Sequence, residues 1–115
     1  MEAAGMTPET KLKRSILRYL AALKKIGEPI RWRVVYSGTG FGKAGEPDLD
    51  IVYRGRAVKL EIKAGKRQPT KLQVKTMDEI RGAEGIAEVV RSAEEVVEIL
   101  KRIDASLRMP AQQDF

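Results

Sequence analysis

On either side of Arg54-Gly55 the sequence mirrors itself. Leu49, Ile51 and Tyr53 alternate with other residues before the pair, and Val58, Leu60 and Ile62 alternate with charged residues after it. A period of two marks a half-buried strand, and two such runs joined by a two-residue turn form a hairpin. The register follows from the pattern. A turn at Arg54-Gly55 pairs Tyr53 with Arg56, Ile51 with Val58 and Leu49 with Leu60, which gathers the large aliphatics on one face. The same register sets Val52 across from Ala57, Asp50 across from Lys59, and Asp48 across from Glu61 on the other face. A slip of one residue opposes Leu49 to Glu61, so the apolar pattern itself brings two acids together.

Like charges directly opposite destabilise a sheet unless something neutralises them. A divalent cation would do so, and carboxylates completed by carbonyl and water oxygens suit Mg²⁺. Lys63 lies two residues beyond Glu61 on the same face, within reach of a water or a phosphate oxygen. Residue types alone favour a plainer reading. In that reading Glu61 and Lys63 are solvated on an exposed sheet face, neutralised by Lys59 and neighbouring arginines.

The chain of 115 residues has the length of one domain. Residues 1–6 read as a disordered lead-in, 7–105 as the domain, and 106–115 as a tail without periodicity. Thr7-Pro8 supplies a helix cap and a proline at the first helical position, followed by the apolar stripe Leu12, Ile16, Leu20 and Leu23 and a stop at Gly27 and Pro29. Ile30 to Tyr36 suits a strand, and the hairpin spans Asp48–Tyr53 and Arg56–Lys63. Thr70 opens a helix to about Arg81, Ile86–Val90 is a short strand, and Ser92 with Glu95 marks a capping box before a last helix. The glycine-rich stretch SGTGFGKAGEP is not a phosphate-binding loop: Ser37 stands where Walker A needs glycine, and Ala44 follows Lys43 where Ser or Thr is needed.

Composition narrows the chemistry. There is no cysteine and no histidine, which removes disulfides, thiolate sites, the usual zinc ligands and the usual general base. Metal chemistry is left to oxygen ligands and hard cations. A net charge of +6 favours a polyanionic partner such as nucleic acid. No apolar run suits a membrane span or a signal peptide, which gives the expectation of a soluble cytoplasmic protein, in a bacterial or phage setting. Two more polar residues point inward. Glu9 lies seven residues before Ile16, about 20° off the apolar stripe, and Gln73 shares a stripe with Met77 and Ile80. Each has a structural explanation, Glu9 at a helix N-terminus and Gln73 in a Thr70-x-x-Gln73 capping box, yet both could converge on the acidic face of the hairpin.

The stretch GEPDLDIVYRGRAVKLEIKAGKRQPTKLQ, followed by GIAEVVRSAEEVVEIL, resembles the virus-type replication-repair nuclease (VRR-Nuc) domain, a branch of the PD-(D/E)xK nuclease superfamily. The motifs are Gly then Pro-Asp before a strand, Glu-x-Lys on the next strand, a Gln in the following helix and Val-Arg-Ser before the last helix, over about residues 9–100. The resemblance implies an α/β fold with a restriction-endonuclease-like core, a mixed four-stranded sheet flanked by helices in the order αβββαβ plus a C-terminal helix. It implies Asp48 and Glu61 as metal ligands with the Ile62 carbonyl, Lys63 as the residue that positions or activates water, Gln73 as the helical active-site glutamine, and Glu9 as the acid of the first helix and a further ligand. Mg²⁺ is the implied cofactor, with Mn²⁺ as substitute. The implied activity is endonucleolytic cleavage of branched DNA in DNA repair, as in the resolution of four-way (Holliday) junctions by a homodimer. Lys11, Lys43, Lys66, Arg67 and Lys71 are expected to contact nucleic acid, and Trp32, Phe41, Met109 and Phe115 are interface candidates. Two alternatives stand beside this reading: a catalytically silent nucleic-acid-binding module, and a nuclease of the same superfamily with another nucleic-acid substrate.

Overall fold

A computed structural model of the chain describes residues 5–36 and 44–108. Lys43, Phe41, Met109, Phe115, most of the glycine-rich stretch, residues 1–4 of the lead-in and 109–115 of the tail lie outside the described residues. The elements are α1 (Pro8–Lys25), β1 (Ile30–Val34), β2 (Leu49–Tyr53), β3 (Arg56–Ile62), α2 (Lys71–Gly82), β4 (Ile86–Val90) and α3 (Ala93–Arg108). The expected N-caps at Thr7 and Thr70 form. Thr7 accepts from the Thr10 N–H, and Thr70 with Gln73 makes a complete capping box. Ser92 accepts from the Glu95 N–H at 3.2 Å, one half of the box expected there.

The sheet has the order β1-β2-β3-β4, with β1, β2 and β3 antiparallel and β4 parallel to β3. Register between β2 and β3 is the one the apolar pattern selects: Leu49 with Leu60, Asp50 with Lys59, Ile51 with Val58, Val52 with Ala57 and Tyr53 with Arg56. Arg54 and Gly55 both have positive φ, 49° and 80°, as the tight turn that matches strand twist requires. A non-glycine residue at positive φ is strained. Here Arg54 is anchored by Glu28, by Asp104 at 2.9 Å and by the Tyr53 hydroxyl at 3.2 Å, which ties the turn to α3 and to the segment after α1.

Two boundaries differ from the sequence reading. β1 stops at Val34 rather than Tyr36, although the Val35 N–H still donates to the Asp48 carbonyl at 2.8 Å. α3 runs to Arg108, so residues 106–108 belong to the helix and not to a frayed tail. The Ser106 hydroxyl donates to the Ile103 carbonyl at 2.8 Å, within the helix, and Leu107, four residues beyond buried Ile103, is exposed.

One core fills the space between the sheet and α1 with α3. Ile16 and Leu20 meet Leu49, Ile51, Leu60 and Ile62 from the strands, and Val96, Ile99, Leu100 and Ile103 from α3. The other sheet face is covered in part by α2, which packs against β4 with Met77 buried. Further along that face, Asp50 accepts from Arg33 at 2.7 Å and Lys59 at 2.8 Å. Burial pushes the Asp50 carboxyl up, but these two cations outweigh it and hold it below the usual range.

Gly45 lies against the first turn of α2. Its φ is +88°, and a Cβ there would lie 2.5 Å from Leu72 Cγ, in the first turn of α2. Gly45→Ala is expected to destabilise the domain by at least ~1–2 kcal/mol through the backbone term alone, with the overlap adding to it. Leu72→Ala in the same chain should recover the side-chain overlap and leave the backbone term and the 3.2 Å approach to the Leu72 carbonyl oxygen, measured as a double-mutant cycle by urea unfolding.

Candidate active site

The acids sit at one end of the sheet, where β2 begins and β3 ends. Asp48 immediately precedes β2, and its Oδ2 accepts from the Ile62 N–H at 2.8 Å. That bond fixes the Asp48 carboxylate against β3, beside Glu61. Glu61 is 2% exposed and Lys63 7%, so the plainer reading of a solvated face is overturned. β3 is a central strand, the first turn of α2 covers it, and Lys59 is committed to Asp50.

Every donor around Glu61 goes to one oxygen. Gln73 Nε2 donates to Oε2 at 2.9 Å, and Lys63 Nζ lies 3.4 Å from the same atom. Oε1 is buried and has no hydrogen-bond partner. Burial first, and the neighbouring Asp48 charge second, push the Glu61 carboxyl from 4.5 up to about 7, against the downward pull of Lys63. A buried acid with an orphaned oxygen beside a second acid fits a cation, which would satisfy the orphan and cancel the repulsion.

Gln73 caps its helix and reaches Glu61 at once. Its Oε1 accepts from the Thr70 N–H at 2.8 Å while its Nε2 reaches Glu61. The backbone donor fixes the amide orientation, because an NH₂ placed there would face another N–H. The capping box therefore aims the donor at the acid, and the two explanations offered by the sequence are one arrangement.

Glu9 approaches from the opposite side of the sheet, on the first turn of α1. It lines a cavity of about 110 Å³ with Thr10, Lys13, Asp48 and Ile62. Its Oε1 is buried without a hydrogen-bond partner, and Arg67 Nη1 stands 3.6 Å away, an ion pair too long for a hydrogen bond. Glu9 and Gln73 thus flank the acids from two faces and do not converge on one. Among the described residues no three Asp or Glu side chains gather as a metal cluster, so Glu9 stands near Asp48 without completing a set of three. Ile62, whose carbonyl the resemblance implies as a ligand, lines the cavity beside Asp48.

Of the expected nucleic-acid contacts, Lys66 and Arg67 are exposed on the turn after β3, Lys71 is exposed at the start of α2, and Lys11 is half-buried on α1. Two residues had no role in the sequence reading. Arg91 Nη1 donates to the Gly65 carbonyl at 2.8 Å, tying the turn that follows Lys63 to the end of β4. Its place in Val-Arg-Ser was legible, but the bond joins residues far apart in sequence. Lys13 lines the cavity, and the available signal was its position four residues after Glu9.

Glu61 makes stability depend on pH in a defined direction. A carboxyl with its folded pKa near 7 and its unfolded value near 4.5 holds a proton in the native state that the unfolded chain has already released. The stabilisation is complete below about pH 4.5 and is lost as pH rises through 7. In metal-free buffer, unfolding free energy should be lower at pH 8 than at pH 5 by on the order of 3 kcal/mol from this group. Urea unfolding of Glu61→Gln, which has no proton to release, should show that difference removed.

Neither a family model nor a curated protein matches the sequence. Among solved structures, one described as a VRR_NUC domain superposes with a TM-score of 0.65 and 22% sequence identity, over 84% of this chain and 97% of that one. No described helix is long and apolar enough to cross a membrane. At that identity the likeness concerns the fold: the mixed four-stranded sheet with its three helices is the fold of a VRR-Nuc domain.

Proposed function

We propose that this domain is a metal-dependent nuclease that hydrolyses phosphodiester bonds in DNA, acting on branched substrates. The observation that carries the reading is the orphaned, buried Glu61 Oε1 beside Asp48, with Lys63 at its shoulder. A chain that only bound nucleic acid would have no use for two acids where phosphate must approach. The similarity in fold to a structure described as a VRR_NUC domain supports the same reading.

Asp48 and Glu61 would hold a divalent cation, Mg²⁺ or its substitute Mn²⁺, which supplies positive charge for the pentavalent phosphate and an acidified water without need of histidine. Every other role falls to the chain itself. Gln73 fixes the rotamer of Glu61 through Oε2 and leaves Oε1 for the ligand. Lys63, held beside Glu61 and nearly dehydrated, presents its remaining N–H donors to the attacking oxygen and stabilises negative charge there. Lys66, Arg67 and Lys71, exposed around the mouth, would bind flanking phosphates. Arg67 would exchange its long pairing with Glu9 for a phosphate.

A four-way junction has two-fold symmetry, and paired nicks on opposed strands need two acidic sites in one complex, which a C₂ homodimer supplies. Trp32, half-buried under Lys24 at 5.7 Å, is the described interface candidate.

The test compares labelled four-way, splayed and duplex DNA with and without Mg²⁺ or Mn²⁺, alongside the mass by light scattering. The expected result is cation-dependent cleavage that favours the four-way substrate, from a dimer. Asp48→Ala and Glu61→Ala should lose cleavage and keep or tighten DNA binding, because they remove ligands and also remove repulsion of phosphate. Lys63→Ala should lose most activity while retaining cation binding by calorimetry. Gln73→Glu keeps a cap acceptor but sets a third carboxylate against Glu61, so it should cut poorly. DNA binding with no cleavage of any substrate would favour the silent binding module, and a monomer cutting junction and duplex equally would exclude junction resolution.

A further inference from the structure

Lys13 lies one helical turn beyond Glu9 and lines the same cavity as Asp48 and Ile62. A Glu–Lys pair four residues apart, with the Glu first, is a favoured ion pair on a helix. Here it does not form. Glu9 faces Arg67, and Lys13 Nζ lies 4.9 Å from the centre of the Tyr36 ring. The backbone explains why the ring is there. Val35 N–H bonds to the Asp48 carbonyl, so the next residue flanks the entry to β2, and its strand parity with Val34 directs it toward α1. Tyr36 is 62% exposed.

An exposed aromatic ring with a cation on it, one lysine side chain away from an acidic cavity, has the elements of a single-strand binding site. The ring stacks a base and the ammonium holds a phosphate. A ring face can stack in this way only on a base released from its duplex neighbours. We propose that Lys13 and Tyr36 bind the nucleotide next to the scissile phosphate, Tyr36 stacking its unpaired base and Lys13 holding its phosphate. The inference rests on the nuclease reading and narrows its substrate class to DNA with an unpaired nucleotide beside the cut, as at branch points and splayed arms.

The experiment compares a duplex carrying a single-stranded arm with the matching continuous duplex, for binding and for cleavage. Tyr36→Ala should reduce the preference for the armed substrate by roughly 5- to 150-fold, the range for one base–aromatic stack, and Tyr36→Trp should retain it. Lys13→Ala should lower the slope of log affinity against log salt by about one, with Lys13→Arg restoring it. Tyr36→Leu keeps apolar bulk without a π face and replaces the alanine variant should that one fail to fold. Variants that melt like wild type and show its substrate preference and salt slope overturn the inference, while cleavage by wild type leaves the nuclease reading standing. A wild type that neither binds nor cuts either substrate overturns both.

Discussion

A carboxylate 2% exposed beside a second carboxylate is costly, and much of this fold arranges how it is tolerated. The hairpin register, fixed by the two-residue turn, places Asp48 across from Glu61, and a one-residue slip would turn Leu49 and Leu60 away from the core. The energy of apolar burial therefore holds two acids together against their repulsion. Lys63 and Gln73 compensate only one oxygen of Glu61. The remainder is carried by the raised proton affinity of the group in the absence of a cation.

The supporting residues act through ordinary local structure. Thr70 and Gln73 cap α2 as they would any helix, and the cap itself directs an amide at Glu61. Gly45 lets α2 approach the segment before Asp48, and Arg91 secures the turn that follows Lys63. Each would pass for fold maintenance if considered alone. Their shared consequence is a pair of acids flanked by helix starts on both sheet faces, with exposed cations at the rim.

Much of this was legible in the sequence, for reasons that differ by element. The hairpin could be read to the residue because a period of two leaves one register that buries all the aliphatics, and Arg54-Gly55 fixes its turn. Helix starts were legible from Thr7-Pro8 and Thr70-x-x-Gln73, whose caps are local. The ends of β1 and α3 were not, because no local stop marks either: Tyr36 is as strand-forming as the residues before it, and Ser106 bonds back into its own helix. At the candidate site, the grouping of Asp48, Glu61, Lys63 and Gln73 was expected from pattern and resemblance. Their burial was not, because alternating charges look the same in sequence on a solvated strand and on a central strand covered by a helix. Glu9 was placed inward correctly by its helical phase, but which sheet face α1 covers is a matter of topology, and this separates it from Gln73.

If Asp48 and Glu61 hold a cation as proposed, its binding displaces the proton that burial and Asp48 favour on Glu61. Titration calorimetry of the pure protein with Mg²⁺ or Mn²⁺ near pH 7, repeated in buffers of different ionisation enthalpy, measures binding and proton release together. The account predicts saturable binding that expels a fraction of a proton, with binding lost in Asp48→Asn and both binding and proton release lost in Glu61→Gln. No binding at millimolar cation, or binding that survives unchanged in both variants, would contradict it.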